Sequence, residues 1–204
     1  ETLTIDPERL PTEEFGIYKC MAIAQATDPL MLQRCQDGGV VTALLTHAMN
    51  NGVIDSAVVS TTSPEKPWFP VPKLVTTPQE VLESAGTKYT YSPNLLALQE
   101  AVKQKKKAAA FVSTPCQIQS IRKIEAFPLK KYSSIINFTI GLMCTESFTY
   151  SGLMQKHVQQ VLGMDLNDVK KINIKGKVLI TTKSGETKAI PLPEAKQYTR
   201  KGCL

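Results

Sequence analysis

The sequence predicts an α/β fold: a mainly parallel sheet with flanking helices, plus an antiparallel C-terminal hairpin extension. Three observations carry this. Short apolar runs at Ala57–Ser60, Ala108–Ser113 and Ile135–Met143 read as strands buried on both faces. Segments of helical spacing alternate with them. Past Gly163 the pattern changes to short β-rich runs joined by a turn.

Residues 1–16 carry polar and proline signals (Asp6-Pro7, Pro11) and read as a linker or edge segment. Ile17–Gln25 is predicted as a strand. Gln36-Asp37-Gly38-Gly39 is a turn, and Val40, Val41, Leu44, Leu45 and Ala48 then continue at helical spacing to Asn50. After the strand at Ala57–Ser60, Pro64, Pro67, Pro70 and Pro72 mark a loop. Pro78–Ala85 predicts a short helix, and Ser92-Pro93 supply a cap and a first helical residue for the next. Thr114-Pro115-Cys116 turns from a strand into a helix reaching Ile124. Tyr150–Leu162 is a helix stopped by Gly163. Lys171–Ile174, Val178–Thr182 and Thr187–Leu192 are strands, with Lys183–Glu186 as a hairpin turn.

At 204 residues and 42% apolar content, the chain is long enough for one sizeable α/β core. It contains no apolar run of the ~18 residues a membrane span needs. The net charge of +6 suits solubility or a polyanionic ligand. The Lys103–Lys107 run ends a helix, and no interleaving of aromatic with basic residues points to nucleic acid. The chain starts at Glu1 and ends one residue after Cys203, which reads as a piece of something longer.

Three constellations can carry chemistry. Cys116 follows one buried strand and opens a helix, while Cys144 ends the next strand, so both lie at the sheet edge where α/β proteins hold ligands. With Cys203 they are either ligands of an iron–sulfur cluster or a structural zinc, or packed thiols. Cys20, in an apolar strand, and Cys35, before the Gly-Gly turn, read as bystanders. Gln36–Gly39 followed by a helix, with Thr42 one turn in, is either a phosphate cradle or a plain tight turn. Gly86–Asn94 gathers hydroxyls (Thr87, Thr90, Ser92), Lys88 and two tyrosines before a helix start. It suits a pyrophosphate and a flat ring, or is a capped loop with packed tyrosines. His47 and His157 fall on helices as packed or surface residues, and neither GxGxxG nor a Walker loop is present.

Taken in order, Cys35–Thr42, Ala85–Asn94, Thr114–Gln117 and Gly141–Cys144 resemble the family of coenzyme F420 hydrogenase/dehydrogenase beta subunits. The resemblance runs from Ile17 to Leu204 and includes Gly202-Cys203, which in the family begins a Cys-x-x-Cys. It implies a flavin-binding core over 17–204, with 164–204 leading to the cysteine motif. It implies FAD, one 4Fe-4S cluster held by Cys116, Cys144, Cys203 and a ligand past residue 204, and coenzyme F420 as substrate. The flavin neighbours it implies are Gln36, Asp37, Gly38, Gly39, Thr42, Thr87, Lys88, Tyr89, Ser92, Pro93, Asn94, Thr114, Pro115 and Gln117. Coenzyme F420 bears an acidic tail of phosphate and glutamates, for which Lys171, Lys175 and Lys177 are the candidates. The implied function is passage of electrons between F420 and a one-electron carrier chain. The implied partners are subunits of a hydrogenase, formate dehydrogenase or F(420)H(2) dehydrogenase complex, in the cytoplasm or peripheral to a membrane complex. The alternatives are a zinc-stabilised binding module and a branch that reduces a chlorophyll derivative.

Overall fold

The computed structural model describes residues 18–127 and 129–203. The linker at 1–16, and Ile17 of the first predicted strand, lie outside the described residues.

A four-stranded sheet carries the N-terminal two-thirds, in the order β2-β1-β3-β4. Its strands are β1 (Ser56–Thr62), β2 (Pro70–Val75), β3 (Ala109–Ser113) and β4 (Ile136–Gly141). The pairs β1–β3 and β3–β4 are parallel, as the apolar runs predict. The β1–β2 pair is antiparallel, Val58 opposite Leu74. Strand period sends alternate residues to opposite faces. A short helix α1 (Pro29–Arg34) precedes α2 (Val40–Asn50), and Ala57 and Val59 pack with Leu45, Ala48 and Val81 from α2 and from α3 (Pro78–Glu83). Val58 and Phe111 pack on the other face with Leu98 and Ile121 from α4 (Leu98–Lys103) and α5 (Pro115–Ala126). Phe111 is fully buried.

A second sheet of three antiparallel strands follows: β5 (Val169–Ile174), β6 (Lys177–Thr182) and β7 (Thr187–Pro191). Ile172, Val178, Ile180 and Ile190 pack beneath Leu153, Met154 and Val158 of the helix Ser151–Val161. That helix is wound in π fashion, and Leu162 N–H donates to His157 O at 2.9 Å. His157 is buried, edge-on to Tyr198.

Four expectations fail. The strand read as buried at Ile135–Met143 is shorter and forms the sheet edge, so none of its residues is fully buried and Met143 beyond it is exposed. Residues 18–25 form no strand, and Cys20, Met21 and Ile23 are exposed rather than packed. The proline-rich segment does contain a strand, β2, at the sheet edge where missing N–H donors are tolerated. The helix predicted at Ser92-Pro93 begins later, as a 3-10 turn at Asn94–Ala97. Ser92 Oγ donates to Asn94 Oδ1 instead of capping, and Pro93 has ψ 69°, outside the helical range.

Candidate functional site

A cleft of about 380 Å³ opens along the carboxyl ends of β1, β3 and β4, bordered by Ser60, Ser113, Thr114 and Leu142. This is where parallel sheets place ligands, because loops diverge there and helix N-termini point inward. Gln36, Asp37, Gly38, Gly39 and Thr42 form one wall. Thr87, Lys88, Ser92 and Asn94 form another, and Thr114 and Gln117 close the third. Of the fourteen sequence-derived positions, only Tyr89, Pro93 and Pro115 stay off the lining. Tyr89 packs against the core of the second sheet instead.

Two helix starts meet at this cleft. α2 begins after Gly39, which takes a left-handed φ of 67°, and α5 begins after Thr114; neither start is capped by a side chain. The first amides of α2 are therefore open to an anion, whereas at α5 Pro115 has no N–H and Gln117 N–H donates to Thr114 O at 3.0 Å, which leaves Cys116 N–H alone.

Several polar side chains on the lining are already committed. Asn94 Nδ2 donates to Val112 O at 2.8 Å, and its Oδ1 accepts from Ser60 Oγ (2.9 Å) and Ser92 Oγ (2.7 Å). Gln117 Nε2 donates to Ser92 O at 2.8 Å, and its Oε1 accepts from Leu95 N–H at 3.2 Å. Asn94 and Gln117 thus hold the wall in shape by tying the 92–95 turn to β3 and α5. Lys88 Nζ donates to the carbonyls of Ser84 and Ala85 at the end of α3. Burial pushes its ammonium down to about 8.

Cys35 lines the cleft too, although it reads as a bystander in the sequence. It is buried, and its Sγ donates to Thr42 Oγ1 at 3.3 Å. Tyr91 lines the cleft and carries the Arg200 guanidinium 3.9 Å from its ring centre. Arg200 belongs to a C-terminal strap: its N–H donates to Ser147 O, and Thr199 bridges Phe148, which bridges Thr90.

The three candidate metal cysteines are all free thiols. Cys116 Sγ lies 3.3 Å from Thr114 Oγ1, Cys144 Sγ is 3.6 Å from Glu146 O, and Cys203 N–H donates to Arg200 O. Among the described residues, no three His, Cys, Asp or Glu side chains gather as a metal site. Cys116 and Cys144 nevertheless each sit two residues from a cleft-lining residue, Thr114 and Leu142, and Cys203 sits three from Arg200, which stacks on the lining Tyr91.

A second cleft, of about 580 Å³, adjoins the first and shares Gln36, Ala85, Gly86, Thr87 and Lys88 with it. Of the three predicted substrate lysines, only Lys171 reaches it, donating from Nζ to Gln36 O at 3.0 Å. Lys175 and Lys177 flank the exposed Gly176 turn and border neither cleft. Trp68 also walls this cleft. It has a φ of 62°, rare for a bulky side chain, and its Nε1 donates to Val169 O at 3.2 Å.

A mainly parallel sheet whose carboxyl edge opens into a cleft between helix starts defines the class: an α/β protein of the kind that binds ligands at that edge. The chain belongs to the family of coenzyme F420 hydrogenase/dehydrogenase beta subunits, whose N-terminal model matches residues 21–99 and C-terminal model residues 106–204. It is 37% identical to the coenzyme F420 hydrogenase subunit beta of Methanococcus voltae, over 93% of this chain and 68% of that one. It is 34% identical to the hydrogenase subunit beta of Methanosarcina barkeri, covering 92% of this chain and 65% of that one. Identity is also 34% to a subunit of the F(420)H(2) dehydrogenase of Methanosarcina mazei, covering 82% and 47%. The fold superposes, with a TM-score of 0.82 and 34% identity, on a chain of the F420-reducing NiFe hydrogenase complex from Methanosarcina barkeri, covering 88% of this chain and 62% of that one. The chain thus spans about two-thirds of the length of the hydrogenase subunits it matches. Among the described residues, no helix is long and apolar enough to cross a membrane.

Proposed function

We propose that this chain is the flavin-bearing core of an F420-linked oxidoreductase, passing electrons between coenzyme F420 and one-electron carriers on partner subunits. The observation that carries the proposal is the meeting of two uncapped helix starts at the first cleft. The free amides at the α2 start fit a phosphate of FAD, and the Thr114–Gln117 turn closes the opposite wall. The mixed lining of Val41, Leu45 and Val112 with Thr87 and Ser113 fits the rest of a flavin. When bound, FAD supplies the conversion between hydride transfer and single-electron transfer, and a 4Fe-4S cluster the single-electron outlet.

The residues divide the work. Gly38 and Gly39 let the backbone come close at the start of α2. Asn94 and Gln117 hold the wall opposite. Arg200 fixes Tyr91 from behind. Cys116, Cys144 and Cys203 would hold the cluster, with a fourth ligand past residue 204. The names of the relatives support a place in a hydrogenase or dehydrogenase complex. No observation favours a zinc module or a chlorophyll-type substrate.

The test is an anaerobic visible spectrum of the full-length protein after reconstitution with FAD, iron and sulfide. Reduced F420 should bleach the flavin bands and then the broad iron–sulfur shoulder. Cys116→Ser should lose the shoulder and keep flavin bleaching. A wild-type protein that retains no FAD, or whose flavin stays oxidised under reduced F420, would sink the proposal.

A further inference from the structure

The amino edge of the first sheet, opposite the clefts, carries charge that the fold does not use. Three connections meet there. Asp55 N–H donates to Ala108 O at 2.8 Å, Ala109 N–H to Ile135 O at 2.6 Å, and Asn137 Nδ2 to Val53 O at 3.1 Å. These bonds set residues 51–55, 103–108 and 129–135 side by side. The last stretch includes α6 (Lys130–Ser133), a single turn packed against α4 and α5. The three stretches hold Lys103, Lys105, Lys106, Lys107, Lys130 and Lys131, against one carboxylate, Asp55. Asp55 already accepts from Lys107 N–H and Ser56 Oγ, both at 2.8 Å, and lies in the field of Lys106. Lys103, in the last turn of α4, answers that helix's dipole. Lys105 and Lys107 lie past the helix end, and Lys130 and Lys131 sit on a turn too short for much dipole. Among the described residues, none of these four has a carboxylate partner. Lys105 also takes a φ of 53°, the left-handed conformation in which a glycine would relieve the backbone. Phe127 and Leu129, 64% and 50% exposed, stand between Lys123 in the last turn of α5 and Lys130.

We propose that this edge rests on an anionic lipid surface. Three features select lipid over an acidic protein. The unpaired cations are all lysine, which protein interfaces deplete while enriching arginine. A bilayer's phosphates accept such point charges without the bidentate geometry that arginine supplies. Phe127 and Leu129 offer bare apolar side chains beside the lysines, as segments lying in a headgroup layer do. The strip borders neither cleft, so it meets a broad surface and not a single buried anchor. Seated this way, the carboxyl edge of the sheet faces away from the bilayer, and the first cleft stays open. This holds whichever coenzyme that cleft takes.

The test floats the full-length protein with phosphatidylcholine vesicles that contain or lack phosphatidylglycerol. The wild type should rise only with the anionic vesicles, and high salt should release it. Each lysine at such a surface strengthens binding about fivefold, so Lys105→Gln/Lys107→Gln/Lys130→Gln should weaken it about a hundredfold. A charge-matched variant on the helix Ser151–Val161 and the second sheet, Lys156→Gln/Lys175→Gln/Lys177→Gln, should bind as the wild type does. In Phe127→Trp, the emission in excess of wild type, to which Trp68 contributes equally in both, should shift to the blue on anionic vesicles. A wild type that ignores the anionic vesicles overturns the proposal, as does equal weakening by the two triple variants. A bound Phe127→Trp whose emission stays at its solvent wavelength overturns it too. Full-length protein that fails to float yet binds polyglutamate through Lys105, Lys107 and Lys130 would assign the edge to an acidic protein instead.

Discussion

Asn94 is the position where the wall of the first cleft is most exposed to a single change. It is 3% accessible, and its side chain serves Val112 O, Ser60 Oγ and Ser92 Oγ. Asn94→Ala leaves the Val112 carbonyl without that donor and the two hydroxyls without their shared acceptor. A buried polar group left unpaired costs ~1–3 kcal/mol. The hydroxyls can rotate, so the carbonyl dominates and the expected loss is roughly 3 kcal/mol. For a chain of this size each kcal/mol moves Tm by ~2–4 °C, so Tm should fall by about 6–12 °C. Differential scanning fluorimetry of the ligand-free protein reads the shift, and FAD retention on gel filtration should fall with it. Asn94→Ser, which restores one acceptor but not the donor to Val112, should recover less than half. A Tm within about 2 °C of wild type for Asn94→Ala would refute the claim that this network holds the wall.

The folded protein holds Lys88 down to about 8 from 10.5, so between those pH values the unfolded chain binds the extra proton and stability rises with pH. Urea unfolding from pH 8 to 10.5 should show a gain on the order of 3 kcal/mol that Lys88→Met lacks; a flat profile in the wild type would exclude it. At Gly152 an added Cβ would sit 2.6 Å from both Thr149 Oγ1 and Tyr198 Cδ1. Gly152→Ala should therefore destabilise by about 1–3 kcal/mol and speed thiol labelling of Cys203 as the strap lifts, whereas unchanged labelling and Tm would mean the helix yields without cost. Arg200→Leu removes the cation from Tyr91 and should cost under ~1 kcal/mol in stability while weakening FAD retention several-fold; equal retention would show that the stacked arginine has no part in positioning Tyr91.

Much of this architecture is legible in the sequence because period and burial agree. Ala109–Val112 is apolar, the whole of Ala109–Ser113 is buried, and α2 begins right after its Gly-Gly turn. The cleft residues are legible for the same reason, since they fall where strands end and helices begin. The failures are cases where a tertiary partner outweighs a local signal. The apolar residues at 21 and 23 have no strand to pair with and stay exposed. Pro70 and Pro72 hide a strand that the edge position permits. Ser92 carries a cap signal, yet its hydroxyl goes to Asn94, itself anchored on Val112 of the neighbouring strand. Arg34, Lys170 and Lys183 carry no motif in the sequence, and only the fold brings them to one cleft. Cys35 gives no sign that its thiol lies against Thr42 at the cleft wall.

The strap at 198–200 sets an order of events in the cell. Tyr91 lines the cleft early in the chain, but Arg200 behind it is more than a hundred residues later. Gln36 likewise waits for Ile172, whose carbonyl accepts from its Nε2 at 3.1 Å. The finished cleft therefore does not exist while the ribosome is still making the second sheet, and a ligand that needs Tyr91 and Gln36 in place must load after residue 200 has been added. Chains stalled before residue 165 should retain no flavin, and retention by such chains would show that the first sheet alone suffices.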